Sequence, residues 1–138
     1  MDKLSRFSVS IETDLLNRFL RIAKKHGWNN RSEALRNLIR NALVQDEWHD
    51  NADVTGTITI VYDHHKHDLS DRLTSIQHDH HDLVLAATHI HLDHDNCLEM
   101  IAVRGNAKQV QKIADALIGT RGVKHGTLSL TTTGKKIK

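Results

Sequence analysis

The sequence predicts an α+β fold in two modules, a β-α-α unit over residues 1–48 and a ferredoxin-like β-α-β-β-α-β domain over residues 53–133. Three observations support this prediction. Apolar residues alternate along residues 4–11 and then follow a helical period. Strand-like and helix-like segments succeed each other in the ferredoxin-like order in the second module. Charge also differs, because residues 1–45 carry nine Lys/Arg and four Asp/Glu, a net +5, whereas residues 46–138 carry a net −3.

The first module contains a predicted strand and two predicted helices. Side chains alternate between polar and apolar from Leu4 to Ile11, which is the pattern of a half-buried strand. Thr13 or Asp14 can cap the first helix. Asn29 or Asn30 can cap the second. A unit of about 45 residues is too small for an isolated core, and a lone strand leaves its backbone unpaired. We therefore expect it to pair with a second copy, strand against strand.

The second module follows a polar stretch, residues 46–53, which we interpret as a linker. Its β-branched segments predict strands, and its 3.6-residue apolar stripes predict helices. The predicted elements are, in order, a strand over Val54–Asp63, a helix capped by Asp68, strands over Leu83–Asp93 and Cys97–Arg104, a helix capped by Asn106, and a strand over Val123–Thr131.

The first strand of the predicted hairpin is apolar on both faces. A sheet with helices on one side is normally wet on the other, so an apolar second face predicts that another subunit covers it. The residues expected to face the helices are Val84, Ala86, Ile90 and Leu92, and those on the opposite face are Leu83, Leu85 and Ala87.

Composition narrows the class of protein. The 138 residues contain no run approaching the roughly 20 apolar residues of a membrane helix, and the N-terminus lacks the apolar core of a signal peptide. The single cysteine, Cys97, cannot form an internal disulfide, which suits a reducing cytoplasm. We expect a cytoplasmic protein that does not bind membranes.

A histidine-cysteine group predicts a metal site. His89 and His91 are two residues apart on a strand, so both imidazoles leave the same face. If residues 92–96 form a five-residue connection, Cys97 lies opposite His91. A fourth ligand is needed, and His78, near the end of the preceding helix, is the natural candidate, with Asp79, His80 and His81 in the same segment. Imidazole with thiolate excludes magnesium and calcium and suits zinc, copper, nickel or cobalt, among which composition does not choose.

Most of the other histidines are not expected to bind metal specifically. The sequence contains twelve histidines, eleven of them between residues 49 and 125. An isolated histidine in a polar segment is more often solvated than ligating. Those expected to be solvated are His64, His65 and His67, and those expected to be structural or incidental are His49, His94 and His125.

The basic first module is a candidate DNA-binding unit. A two-stranded ribbon fits the major groove, and arginine and serine on its exposed face can read base edges. The free amides at the start of a helix can bind a phosphate. The base-reading candidates are Arg6, Ser8 and Ser10, and the phosphate-binding candidates are Asn30, Arg31 and Ser32.

Several segments together resemble the nickel-responsive regulator family, NikR, over nearly the whole chain. The segment with both histidines and the cysteine is the most specific of them. The matching segments are RFSVSI (6–11), WNNRSEALRNLIRNAL (28–43), QHDHHDL (77–83), HIHLDHDNCLE (89–99) and RGVKHG (121–126).

The resemblance implies a ribbon-helix-helix DNA-binding domain followed by an ACT-type ferredoxin-like domain. It implies a homotetramer, a dimer of dimers, whose central domains hold Ni²⁺, one ion per chain, in square-planar geometry. His89, His91 and Cys97 would come from one chain and His78 from a neighbour. Family members typically repress nickel-uptake genes by binding an inverted repeat in double-stranded DNA, and Arg6, Ser8 and Ser10 match the base-reading positions.

The sequence departs from the family pattern at three places. Asp79 interrupts a run of four histidines found in some members. Glu33 matches one ligand of a cation near the DNA-binding unit, but Asn37 replaces the expected aspartate, which weakens such a site. Lys66 matches a position that contacts the DNA backbone, whereas His67 replaces a neighbouring arginine.

The predicted mechanism is metal-dependent repression. Metal binding would deprotonate Cys97 and order the helix that carries His78, together with the loop carrying Lys66. Gln77 and Glu99 would orient the ligands. An enzyme is disfavoured, because four protein ligands leave no open position for a substrate. The alternatives are a regulator that senses cobalt, zinc or copper, and a histidine-rich storage or chaperone protein.

Overall fold

The structure is a computed structural model that describes residues 3–138. It contains four helices and four strands within these residues. None of the helices in this part of the chain is long and apolar enough to cross a bilayer. The elements are α1 (Thr13–Lys25), α2 (Arg31–His49), β1 (Asp53–Asp63), α3 (Leu69–Asp79), β2 (Val84–His91), β3 (Asn96–Asn106), α4 (Ala107–Ile118) and β4 (Val123–Thr132).

The chain forms two compact units, the first ending at Ile39 and the second running over Arg40–Lys138. The domain boundaries predicted at residues 48 and 53 stay a prediction. In the first unit, the strand predicted over Leu4–Ile11 is not formed in the single chain, where residues 3–12 carry no strand pairing. Phe7 and Val9 are each 69% exposed there. The expected pairing of this segment with a second copy stays a prediction.

The starts of the first two helices differ in how they are capped. Glu12, not Thr13 or Asp14, occupies the N-cap position of α1, and its side chain makes no capping hydrogen bond. The prediction for α1 was therefore wrong by one or two residues. At α2 the prediction of Asn30 is confirmed, because its Oδ1 atom accepts the backbone N–H of Glu33 at 2.7 Å.

Helix α2 continues through residues 46–49, so the prediction that the linker begins at residue 46 was wrong. Tertiary packing explains the difference. The indole N–H of Trp48 donates to the carbonyl of Thr131 at 2.8 Å, and the ring packs against the hydrophobic core. Anchoring of Trp48 on the sheet holds an otherwise polar stretch in the helix.

The second unit has the predicted ferredoxin-like topology. Its four-stranded sheet has the order β2-β3-β1-β4, and every pairing is antiparallel. Helices α3 and α4 bury one side of the sheet. The largest side chains of this core are Ile58, Ile60, Tyr62, Leu69, Leu73, Ile101, Ile113 and Leu117.

Asp68 and Asn106 occupy the N-cap positions of α3 and α4 as predicted, but neither side chain makes a capping hydrogen bond. At α4 another residue caps the helix, because Oδ1 of Asn51 accepts the backbone N–H of Lys108 at 2.9 Å. The cap therefore comes from the segment before β1, and local sequence around the helix cannot reveal it.

Strand β2 contains an irregularity that changes which side chains share a face. Val84 lies opposite Val103, but the register shifts between Val84 and Ala86, so that Ala87 lies opposite Ile101. Beyond this bulge, Ala87 and the residues two and four places after it lie on the helix side. Ala86 and Ile90 therefore lie on the face away from the helices, although they were predicted to face them. Ala87 lies on the helix side and Leu83 is buried in the core, although both were predicted to lie on the opposite face.

Candidate metal centre

Strands β2 and β3 place two of the predicted ligands directly opposite each other. His91 pairs with Cys97, which confirms the predicted register. The backbone N–H of Leu92 donates to the carbonyl of Asn96 at 2.9 Å, so those two residues form a hydrogen-bonded pair. Because pairs alternate along an antiparallel ladder, His91 and Cys97 form a non-hydrogen-bonded pair, the type whose side chains lie closer.

The connection between β2 and β3 is fixed by one carboxylate. Oδ1 of Asp93 accepts the backbone N–H of Asp95 at 2.9 Å and that of Asn96 at 2.8 Å. The side-chain amide of Asn96 also donates to both oxygens of Asp93. These bonds, led by the Asn96 side chain, lower the pKa of Asp93 to about 2. These hydrogen bonds fix the length of the turn, and that length sets the register between the two strands.

Cys97 is almost fully buried, with 2% of its surface exposed. On its other side it pairs with Tyr62 of β1, which is also buried. Its Sγ atom lies 3.7 Å from the carbonyl oxygen of Leu98. The thiol thus lies on the helix side of the sheet, where little water reaches it.

His89 contacts a buried polar group. Its Nε2 atom lies 3.1 Å from Oε1 of Glu99, and its Nδ1 atom lies 3.3 Å from the hydroxyl oxygen of Tyr62. Gln77 of α3 donates its amide to both oxygens of Glu99, at 3.4 and 3.3 Å. The two residues predicted to orient ligands, Gln77 and Glu99, therefore form a chain of contacts that ends on a predicted ligand.

Burial governs the ionisation of this group. Desolvation raises the pKa of Glu99, while the nearby His89 and the amide of Gln77 oppose that shift. Desolvation also raises the pKa of Tyr62 well above its ordinary value, and the carboxyl of Glu99 adds to the effect. Tyr62 is therefore a neutral hydroxyl at physiological pH.

His78 lies in the last turn of α3 and is exposed, one residue after Gln77. Its ring centroid is 6.4 Å from that of His81. Among residues 3–138 of the single chain, no three of the four predicted ligands have donor atoms that all lie within 4.8 Å of one another. The contribution of His78 from a neighbouring chain stays a prediction.

The donor chemistry of this centre fits a borderline transition metal. His89 and His91 offer imidazole nitrogens and Cys97 offers a thiol on the same side of two paired strands. Nitrogen with sulfur donors disfavours magnesium and calcium and favours nickel, zinc, copper or cobalt. A carboxylate held against the second nitrogen of a histidine, as Glu99 is against His89, is the usual support of a histidine ligand.

The predicted DNA-contacting residues lie on exposed positions. Arg6, Ser8 and Ser10 are exposed in the segment that precedes α1, and Arg31 and Ser32 are exposed in the first turn of α2. Their side chains are thus accessible to a nucleic acid in the single chain.

Two further predicted residues have local partners. The carboxylate of Glu33, the predicted cation ligand, accepts hydrogen bonds from Arg36 at 2.6 and 3.0 Å. A cation at Glu33 would compete with this guanidinium. Lys66 is exposed in the β1–α3 loop, where its backbone N–H donates to the carbonyl of Asp63 at 3.2 Å.

Comparison with known protein families identifies both units. Residues 55–131, more than half of the chain, match the NikR C-terminal nickel-binding domain. The chain belongs to the NikR family. Residues 5–46 match the ribbon-helix-helix proteins of the copG family. The family resemblance noted in the sequence is therefore confirmed, as is the fold class.

Full-length relatives agree with membership of the NikR family. A protein of Geobacter sulfurreducens is 54% identical, with 99% of each chain covered. Proteins of Desulfovibrio desulfuricans and Solibacter usitatus are each 52% identical, with 99% and 100% of each chain covered, respectively. All three carry the provisional name of nickel-responsive regulator. NikR proteins are regulators with a DNA-binding domain, so this chain is not an enzyme.

Sequence reasoning missed one group of residues in this NikR chain. The side chains of His65, His94 and Asp95 offer donor atoms that all lie within 4.8 Å of one another, on the surface. His65 was expected to be solvated and His94 incidental. The pairing of Asp63 with Asn96 brings the ends of β1 and β3 together and could have revealed their proximity.

Proposed function

We propose that this chain is a nickel-responsive, DNA-binding repressor of nickel-uptake genes. One Ni²⁺ per chain would be held by His89, His91 and Cys97, with His78 supplied by a second copy. The observation that carries the proposal is the pairing of His91 with Cys97, beside His89, inside the segment that matches the NikR nickel-binding domain.

The residues around the centre suggest how the ligands are prepared. Glu99 holds Nε2 of His89, which leaves Nδ1, in contact with the Tyr62 hydroxyl, as the nitrogen available to a metal. Cys97 would lose its proton on binding, because the thiolate is the metal ligand. Bound nickel supplies the positive charge that stabilises this thiolate in a buried position.

Coupling to DNA would arise from the segment between β1 and β2. His78 lies in the last turn of α3, and Lys66 lies in the loop before that helix. Fixing His78 at a centre shared by two copies would restrict this segment and favour the DNA-binding state. Metal and DNA would then strengthen each other's binding by the same factor.

The assembly that fits these features is a homotetramer made of two dimers. Each dimer would form by pairing of residues 4–11 from two copies, which satisfies the unpaired backbone and covers Phe7 and Val9. Two such ribbons on one tetramer would read the two halves of an inverted repeat. Sedimentation velocity should give one species of four chains, and a stable monomer would contradict this assembly.

A gel-shift experiment tests the function. The wild-type chain should bind an inverted-repeat operator from its own nickel-uptake promoter tightly when Ni²⁺ is added and weakly with a chelator. Cys97→Ala and His89→Ala should lose this difference. His49→Ala is the matched control, because that imidazole is 88% exposed and remote in sequence from the centre. Nickel-dependent binding that persists in both variants would contradict the proposal.

The metal itself is tested by absorption spectroscopy. Square-planar nickel bound to a thiolate absorbs visible light, whereas tetrahedral zinc does not. Titration of the wild-type chain with nickel should give such a spectrum, saturating at about one ion per chain, and Cys97→Ala should abolish it. If cobalt, zinc or copper activates DNA binding at a lower concentration than nickel does, that metal is the effector instead.

A further inference from the structure

A second cluster of potential metal ligands lies on the surface of the second unit. It consists of His65 from the β1–α3 loop with His94 and Asp95 from the β2–β3 turn, and we call it the loop cluster. Nε2 of His65 lies 3.9 Å from Oδ1 of Asp95, and the rings of His65 and His94 have centroids 4.9 Å apart. One donor atom from each side chain lies within 4.8 Å of the other two.

The backbone holds the two segments of the loop cluster together. Asp63 pairs with Asn96 at the ends of β1 and β3. Beyond that pair, the backbone N–H of His64 donates to the carbonyl of Asp95 at 3.2 Å. The backbone N–H of His65 is also held, by Oδ1 of Asp63 at 2.9 Å. The three side chains therefore start from fixed positions, and only side-chain rotations are needed to close them on an ion.

A third histidine next to the loop cluster provides a second observation. The ring of His64 lies 4.1 Å from that of His65 and 4.9 Å, edge-on, from that of His91, measured between centroids. Its Nδ1 atom is buried and has no hydrogen-bond partner among residues 3–138. A buried imidazole nitrogen normally has a hydrogen-bond partner, so this unpartnered nitrogen is a further potential metal ligand.

We propose that the loop cluster is a second binding site for a divalent transition metal, separate from the nickel centre. Two imidazoles and one carboxylate form a donor set that suits zinc, nickel, cobalt or copper(II). Nε2 of His65 now lies 2.7 Å from the carbonyl oxygen of His94. A neutral imidazole binds the ion through its unprotonated nitrogen and keeps its proton on the other ring nitrogen, so a proton passes to solvent only from a ring that was charged before binding.

The two sites differ in how tightly they hold the ion and in which chain segments the ion connects. The loop cluster has no thiolate and its side chains are exposed, so its ion exchanges with solvent more readily than one at a buried site containing Cys97. An ion there links the loop that carries Lys66 to the turn that follows His91. Occupancy would therefore restrict the motion of Lys66 without contributing a ligand to the nickel centre.

The test uses the full chain with Cys97→Ala, which removes the thiolate of the nickel centre and leaves the loop cluster intact. Zn²⁺ is added during NMR observation of the histidine rings. The rings of His65 and His94 should shift together and saturate at about one equivalent of zinc. Equilibrium dialysis should show that this zinc is lost when His94→Ala or Asp95→Asn is added to the Cys97→Ala chain.

The matched control is Cys97→Ala combined with His49→Ala, which removes a different exposed histidine beside an aspartate, at 3.4 Å from Asp50. It should keep the zinc. The proposal is overturned if His94→Ala and Asp95→Asn both retain zinc as the control does, or if the His65 and His94 rings do not shift. Since the nickel centre is disabled in every chain compared, failure here leaves the proposed repressor function untouched.

Discussion

His89 and Glu99 face each other across β2 and β3, with Nε2 of the imidazole 3.1 Å from a carboxylate that is only 1% exposed. A buried carboxylate is costly unless it has close partners. Its partners here are His89 and Gln77. The carboxylate therefore restrains the orientation of a predicted ligand before any metal arrives.

Replacing Glu99 by Gln tests this restraint. The amide keeps the shape but is a weaker acceptor for the histidine N–H, so nickel affinity should fall about 10- to 100-fold, measured by competition with a chelator. Asp115→Asn is the matched control, because Gln111 donates to that exposed carboxylate at 2.9 Å on α4. Equal nickel affinity in the wild-type and Glu99→Gln chains would show that Glu99 does not position His89.

The pKa of Asp93 gives a second prediction. NMR titration of its carboxyl carbon should show a midpoint of about 2. Because this pKa is below the ordinary value of 3.8, the ionised group stabilises the fold above pH 4, and that contribution is lost as the pH falls towards 2. Asn96→Ala removes the main cause and should raise the midpoint towards 3.8. An unchanged midpoint in Asn96→Ala would contradict the assignment.

Arg6→Ala should separate DNA recognition from metal binding. Loss of a guanidinium from the exposed ribbon segment should weaken binding to the specific operator by about 1–3 kcal/mol, measured by fluorescence anisotropy at fixed salt. Nickel affinity should be unchanged. Lys112→Ala, an exposed cation on α4, is the control for net charge. A uniform loss on specific and random DNA would assign Arg6 to phosphate contact rather than base reading.

Gly126→Ala should destabilise the second unit. An added Cβ would lie 2.6 Å from Cγ1 of Ile118 and 3.0 Å from Cγ2 of Ile60, so the interface between α4 and the sheet would have to shift. Such overpacking costs about 1–3 kcal/mol, which exceeds the roughly 0.5–1 kcal/mol gained by replacing glycine in a strand. Urea denaturation should give a lower midpoint than the wild type or the exposed control Ser129→Ala. An equal midpoint would show that the contact relaxes freely.

Local patterns were sufficient to predict the helices, the strand order along the chain and the pairing of His91 with Cys97. That pairing depends on the length of the turn between the two strands, which can be counted in the sequence. The turn is closed by Asp93, a residue within the turn itself. The capping of α2 by Asn30 was predictable for the same reason, since its partner is three residues away.

Features that depend on distant residues were not predictable. Residues 46–49 are helical because Trp48 packs on the sheet, and α4 is capped by Asn51 from another segment. The loop cluster joins segments about 30 positions apart, which only the pairing of β1 with β3 brings together. The predicted strand over residues 4–11 is not formed in the single chain, and its pairing with a second copy stays a prediction.

The irregular pairing in β2 has a consequence for how this protein can change over time. One extra residue near Leu85 determines which face of the sheet each later side chain of that strand occupies. Without it the hairpin and its turn could still form. However, either the residues before the deletion or both histidines after it would then lie on the opposite face of the sheet. A substitution in β2 leaves this register unchanged, whereas the gain or loss of a single residue there would alter which side chains share a face with the predicted ligands His89 and His91.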